Sequence, residues 1–186
     1  MKKTIRGLIL FSAALTFCGC ALASDAPEPD KDFSLTISPL HLFSPIVEIN
    51  GEFKANNHFG VALILGAGTV KSLVAGDSYS VREYGFQVNY YPDSNFNQGV
   101  QYGLEVMRID VELISSSSIK STGSGVAFGP YFGYKYALGS GFILVTQLGF
   151  QGYSISAKAQ DSNGNSASAG GGGGGLLLNL NVGYNF

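Results

Sequence analysis

Residues 176–186 read LLLNLNVGYNF. Every second side chain, from Leu176 to Phe186, is apolar, and the positions between them are asparagine or glycine except for Leu177. Successive side chains of a β-strand point to opposite faces, whereas a helix would scatter this pattern around its circumference. This stretch is therefore predicted to be a strand with one apolar and one polar face.

The same alternation recurs in seven segments upstream. They cover residues 33–38, 47–54, 59–68, 83–90, 100–106, 125–136 and 142–151. Compact turns at 55–58, 91–99 and 137–141 are predicted to alternate with longer connections rich in serine and glycine at 71–80, 115–124 and 156–175. Short turns at one rim and longer loops at the other are typical of an outer-membrane barrel. Residues 33–186 are thus predicted to form an all-β, eight-stranded antiparallel up-and-down transmembrane β-barrel.

Two segments depart from simple alternation. Pro130 lies inside the sixth predicted strand, where it removes a hydrogen-bond donor. In the fifth strand the apolar residues change from even positions, ending at Val106, to odd positions, starting at Met107. A bulge near Val106–Met107 is predicted on this basis, and a bulge near Pro130 would accommodate the proline.

The composition of the two faces indicates which one meets water. The polar faces carry mainly Gly, Asn, Gln and Ser, while the apolar faces carry bulky Leu, Val, Phe and Tyr. The narrow interior of an eight-stranded barrel holds small side chains more readily than rows of large ones. The apolar faces are therefore predicted to point outward, into lipid.

Aromatic side chains favour the same orientation. Many of them fall at strand ends beside the short turns or the termini, as expected for a ring at the membrane–water boundary. These residues are Phe33, Phe53, Phe59, Tyr90, Tyr102, Tyr134, Tyr136, Phe142, Tyr184 and Phe186.

The N-terminal 23 residues are predicted to be a cleaved signal peptide. Lys2, Lys3 and Arg6 precede a short apolar stretch, and Ala21-Leu22-Ala23 fits a cleavage site. The alternative is a lipoprotein signal with an acylated Cys20. Residues 24–32 (SDAPEPDKD) are predicted to be a linker, and the cleaved protein would contain no cysteine, hence no disulfide or thiolate metal site. The net charge of −2 argues against nucleic acid as a partner.

The C-terminal alternation of Leu180, Val182, Tyr184 and Phe186 resembles the targeting strand of bacterial outer-membrane β-barrel proteins. Residues 33–186 are similar in pattern to the small eight-stranded barrels of that superfamily. The resemblance implies a location in the bacterial outer membrane, with membrane lipids and the barrel assembly machinery as partners and deletion of Phe186 as a test of assembly. It implies no activity and no cofactor, and a monomer is expected.

Charged residues on the polar faces are predicted to form a network inside the lumen. Its predicted members are Glu48, Glu52, Lys54, Glu83, Glu105, Arg108 and Lys135. Buried charges must pair or remain hydrated. A plug of ion pairs that closes the lumen is favoured, and a proton or ion path is the alternative.

The predicted function is non-enzymatic, either structural or surface interaction. Flexible loops at 115–118, 161–165 and 170–175 would carry any surface recognition. A lipid-modifying enzyme would need a histidine with Ser or an acid, for which only His41 with Ser44 and Glu48 offers a weak candidate; His58 is interpreted as a turn residue. No G-x-S-x-G, H-E-x-x-H or P-loop motif occurs. A soluble periplasmic barrel that binds a small apolar ligand, with its apolar faces inward, is the other alternative.

Overall fold

The computed structural model describes residues 31–43, 45–71, 78–114, 120–160 and 166–186. The predicted signal peptide, and the predicted linker up to residue 30, lie outside the described residues. The elements in chain order are β1 (Phe33–Ile37), α1 (Pro39–Leu42), β2 (Ile46–Lys54), β3 (Phe59–Lys71), β4 (Ser78–Tyr90), β5 (Gly99–Ile114), β6 (Lys120–Gly139), β7 (Phe142–Gln160) and β8 (Ser166–Asn185). Among the described residues, no helix has the length and apolar character needed to span a bilayer.

The strands form a closed barrel in the order of the chain. Each strand is antiparallel to its neighbours, and β1 closes the ring against β8 with Leu35 opposite Tyr184. The predicted eight-stranded antiparallel up-and-down barrel is confirmed. The short connections at 55–58, 91–98 and 140–141 share one end with Phe33 and Phe186, which we call the turn end; the opposite end is the loop end.

In the turn-end half of the barrel, the outward-facing side chains are mainly apolar and most inward-facing side chains are polar, as predicted. Leu63 and Leu65 of β3 are 55% and 60% exposed, and similar rows run down every strand. Gln87 and Gln101 are fully buried inside the ring. A strand that faces two environments must alternate in this way, so the barrel carries an apolar band on its outside.

The predicted ring of aromatic residues surrounds the turn end. Neighbouring rings touch across strand boundaries: the centroids of Phe33 and Phe53 are 4.6 Å apart, and those of Phe142 and Tyr184 are 5.4 Å apart. Tyr184 in turn contacts Phe186 at 5.0 Å. Lys31 places its Nζ atom 5.5 Å from the Tyr184 ring, and the Asp32 carbonyl accepts a hydrogen bond from the Lys54 amide. The last two linker residues are thus bound to the barrel.

The strands at one side are much longer than predicted. β7 continues to Gln160 and β8 begins at Ser166, so most of the predicted connection 156–175 is regular sheet. The six glycines at 170–175 pair in register with β7, from Ser156 opposite Gly170 to Gln151 opposite Gly175. The expectation that these glycines form a flexible loop is wrong, because the backbone ladder with β7 holds them.

The bulge predicted at Val106–Met107 is also wrong. Val106 lies opposite Phe86 of β4 and Phe128 of β6, and both registers continue without a shift through Met107 and Arg108. Met107 therefore faces inward, and Arg108 faces outward. The change of apolar phase arises because the lumen at the loop end is lined by apolar side chains, including Ile46, Ile64 and Val81.

Pro130 is accommodated without a change of register. The pairing of β6 with β7 passes from Phe128 opposite Gly152 to Tyr131 opposite Gly149, with the same offset on both sides of Pro130. The register shift of this pair lies instead at Ala137/Gly139, beside the turn. The missing amide donor thus costs local ladder pairing but does not deform the strand.

Candidate functional site

A buried ion pair lies at the turn end of the lumen. Lys135 of β6 is fully buried, and its Nζ atom is 2.7 Å from Oε2 of Glu52 on β2. The same Nζ atom lies 3.9 Å from the ring centroid of Phe96 and 5.1 Å from that of Tyr91. The ammonium group is therefore held by one carboxylate and two aromatic faces, which together replace its hydration shell.

The connection between β4 and β5 supplies those aromatic side chains. Tyr91 and Phe96 lie in residues 91–98, and both side chains turn inward until they are almost completely buried. The Tyr91 hydroxyl donates to Oε1 of Glu52 at 2.6 Å. We call Glu52, Tyr91, Phe96 and Lys135 the turn-end plug. The inward position of Tyr91 and Phe96 was not predicted from the sequence, in which the one available signal is that Phe96 stands alone between two asparagines of a polar turn.

Amide side chains fill the middle of the lumen. Asn89 donates to Oε1 of Glu52 at 2.7 Å, and the Tyr131 hydroxyl donates to Oδ1 of Asn89. Gln87 donates to Oε2 of Glu105 at 2.6 Å. Gln147 and Asn179 extend this network. The cavity among these groups has a volume of about 10 Å³, which is room for about one water molecule at most.

The predicted charge network is divided between several places. Glu48, Glu52, Glu83, Glu105 and Lys135 are buried in the lumen. Lys54 lies at the turn end, with its Nζ atom 3.7 Å from Oδ1 of Asp32.

Arg108 does not belong to the network. It lies on the outer face, and its guanidinium is 2.9 Å from Oδ1 of Asp110, also on β5. The prediction failed because it placed Arg108 beyond a bulge that does not exist.

His41 occupies the loop end of the lumen. The short helix α1 joins β1 to β2 and places His41 Nδ1 3.3 Å from Oε2 of Glu48 and 2.9 Å from Oγ of Ser38. The hydrogen bond with Glu48 is the main reason why the pKa of His41 is raised above its ordinary value. Ser44, the third member of the predicted trio, lies outside the described residues.

These contacts do not have the geometry of a catalytic triad. A triad places the nucleophile and the carboxylate on different nitrogens of the imidazole. Here Ser38 and Glu48 both approach Nδ1. Ser38 is also buried, with its hydroxyl near the Leu180 carbonyl. His58 is remote from this group, at the turn end, where its ring stacks 5.9 Å from Tyr90.

Glu83 of β4 completes a group of ligand-type side chains with His41 and Glu48. One donor atom from each residue lies within 4.8 Å of the other two. Glu83 is buried, and its Oε2 atom has no hydrogen-bond partner among the residues that the structure describes. We call His41, Glu48 and Glu83 the His41 cluster.

A polar groove lies on the outer face, on the loop-end side of the apolar band. It has a volume of about 320 Å³. Arg82 of β4 lies opposite Asp110 of β5, which lies opposite Ser124 of β6. These residues are in phase with the outward-facing apolar residues nearer the turn end of the same strands, so they also face outward. The groove is lined by Ser80, Arg82, Asp110, Val111, Glu112, Thr122, Gly123, Ser124, Ser156 and Lys158.

The residues of the predicted assembly signal lie along β8. Tyr184 and Phe186 are exposed in the aromatic ring, while Leu180 and Val182 are half-buried. The Phe186 amide donates to the Phe33 carbonyl at 2.7 Å. This end of β8 therefore takes part in the seam that closes the barrel.

In comparisons with known proteins, the chain is similar in fold to a solved structure but matches no protein family. No family model matches the chain, and no curated protein matches it. Among solved structures, the chain is similar to a major outer membrane protein from Thermus thermophilus, with a TM-score of 0.51 and 16% identity. The match covers 86% of this chain and 100% of that one. At this identity the likeness supports the barrel fold.

Proposed function

We propose that the protein is a non-enzymatic β-barrel of a bacterial outer membrane, reached after secretion with a cleaved signal peptide. Its lumen is closed, and its role is structural or surface interaction. The observation that carries the proposal is the continuous apolar band outside a lumen whose turn-end half is filled by hydrogen-bonded polar side chains. In water such a band would be an unusually large exposed apolar surface, whereas acyl chains solvate it.

The orientation of the side chains favours this proposal over a soluble barrel. A soluble carrier of an apolar ligand needs an apolar cavity inside. Here the turn-end half of the lumen carries Gln87, Gln101, Asn89 and the buried Glu52–Lys135 pair. The fold likeness to a major outer membrane protein is in keeping with the same location.

Surface interaction is supported by the polar groove. It combines Arg82 and Lys158 with Asp110 and Glu112 and several hydroxyl groups, just beyond the apolar band. A surface of mixed charge at the loop-end edge of the apolar band would meet lipid headgroups or molecules outside the cell. The C-terminal residues Leu180 to Phe186 are proposed to be read by the barrel assembly machinery, and the barrel is proposed to act as a monomer.

Planar-bilayer recording tests the closed lumen. Because the cavity among the amide side chains has a volume of only about 10 Å³ and the turn-end plug lies beside it, the wild-type protein is expected to produce no unitary conductance steps. Heat-modifiable gel mobility of the same sample verifies that the inserted protein is folded. Clear unitary steps from folded wild-type protein would contradict the closed lumen.

A further inference from the structure

We propose that the His41 cluster binds a divalent transition-metal cation of the Zn²⁺ type inside the loop end of the barrel. The three side chains come from separate elements, α1, β2 and β4, and converge on one point. An imidazole nitrogen with two carboxylates is a donor set that suits Zn²⁺, whereas Ca²⁺ and Mg²⁺ prefer oxygen ligands alone.

The spacing of the donor atoms fits such an ion. Zn²⁺ bonds of about 2.0–2.2 Å in a tetrahedral arrangement separate neighbouring ligand atoms by about 3.3–3.6 Å. His41 Nδ1 and Glu48 Oε2 are already 3.3 Å apart. A donor oxygen of Glu83 lies within 4.8 Å of both, so its carboxylate would have to move closer by no more than about 1.5 Å to complete the ligand triangle.

The unpartnered oxygen of Glu83 points independently to a ligand. Glu83 is 6% exposed, and within the described part of the chain its buried Oε2 atom has no hydrogen-bond donor. A buried carboxylate oxygen without a donor or a cation is costly. Among the described residues, Glu48 forms an ion pair only with His41, and Glu83 forms none. The cluster therefore holds two carboxylates for one imidazole.

Gly66 provides the space for this arrangement. Gly66 of β3 lies between the two acids, opposite Glu48 of β2 on one side and Glu83 of β4 on the other. A Cβ atom on Gly66 would lie 2.5 Å from Oε2 of Glu83. The absence of a side chain therefore lets the Glu83 carboxylate occupy the cleft between the strands.

The His41 side chain gives the site an exposed edge at the loop end. The His41 side chain is 29% exposed, whereas Glu48 behind it is 3% exposed. A cation can therefore reach the imidazole first and then bind the buried carboxylates. The amide network and the turn-end plug fill the lumen on the other side, so the site takes up ions without passing them through the barrel.

Calorimetric titration with ZnCl2 tests the site, using the chain from residue 24 onward, without the predicted signal peptide and its two cysteines and without an affinity tag, folded in detergent. Binding of one Zn²⁺ per chain is expected. His41→Ala and Glu83→Gln should each weaken the affinity at least about 10-fold, since each removes a ligand. Gly66→Ala should also weaken it by displacing Glu83. His58→Ala is the matched control, because it removes the other histidine, at the turn end, and should leave the affinity unchanged.

X-ray absorption of the Zn²⁺ complex provides a second measurement. At least three nitrogen or oxygen neighbours at about 2.0–2.2 Å are expected for the wild type, together with the outer-shell scattering of one imidazole ring. That imidazole scattering should be lost in folded His41→Ala. The proposal is overturned if folded wild-type protein does not bind Zn²⁺, or if His58→Ala weakens binding as much as His41→Ala does.

Discussion

Replacing Lys135 with methionine is expected to lower the free energy of unfolding by about 3 kcal/mol. Removal of one partner from a buried ion pair typically costs about 3–5 kcal/mol, because the other charge is left without compensation. The low end applies here, since Glu52 still accepts hydrogen bonds from Asn89 and Tyr91. Denaturant unfolding of the protein folded in lipid vesicles measures the effect.

The double variant Glu52→Gln/Lys135→Met separates the charge effect from lost packing. With both charges removed, no unpaired ion remains in the lumen, so more than half of the lost stability should return. Lys158→Met is the matched control for loss of a lysine on the surface, and it should change stability by less than about 0.5 kcal/mol. A Lys135→Met protein as stable as the wild type would mean that the turn-end plug does not hold the ion pair described above.

Replacing Leu63 with arginine is expected to destabilise the inserted barrel by about 2–4 kcal/mol. Leu63 is 55% exposed in the middle of the apolar band on β3. A guanidinium at the midplane of a bilayer costs about this much, and the cost falls to about 0–1 kcal/mol near the interface. The same vesicle-based unfolding experiment measures it.

Thr69→Arg is the matched control for this substitution. Thr69 lies on the same face of the same strand, six positions nearer the loop end, beyond the apolar part of β3 and opposite Ser80. Its replacement should cost no more than about 1 kcal/mol. Equal costs at the two positions would argue against a bilayer around Leu63.

The number of strands and the orientation of their faces could be predicted from the sequence because they depend on local alternation. Segments such as 59–68 carry their apolar residues at every second position, and the barrel preserves that phase. The extension of β7 and β8 toward the loop end could not be predicted in the same way. Residues 170–175 are all glycine, so they show no alternation of hydrophobicity, and their strand conformation comes from the backbone ladder with β7.

The lumen was predicted less completely because its contacts depend on the whole barrel. Position alone indicates that Glu52 and Lys135 face inward, but their pairing across the lumen joins β2 to β6. Arg108 was misplaced because the apolar pattern of β5 beyond Val106 reflects an apolar lumen and not a change of register. Tyr91 and Phe96 lie in a turn, where no periodicity indicates which way a side chain points.

Quenching by brominated lipids tests most directly whether the apolar band faces acyl chains. A fluorescent label on Leu104→Cys, which lies in the band on β5, should be quenched strongly by brominated acyl chains and weakly by iodide. A label on Lys158→Cys, in the polar groove, should show the opposite behaviour. Quenching of the Leu104 label by iodide, without quenching by brominated lipid in vesicle-inserted protein, would contradict the account.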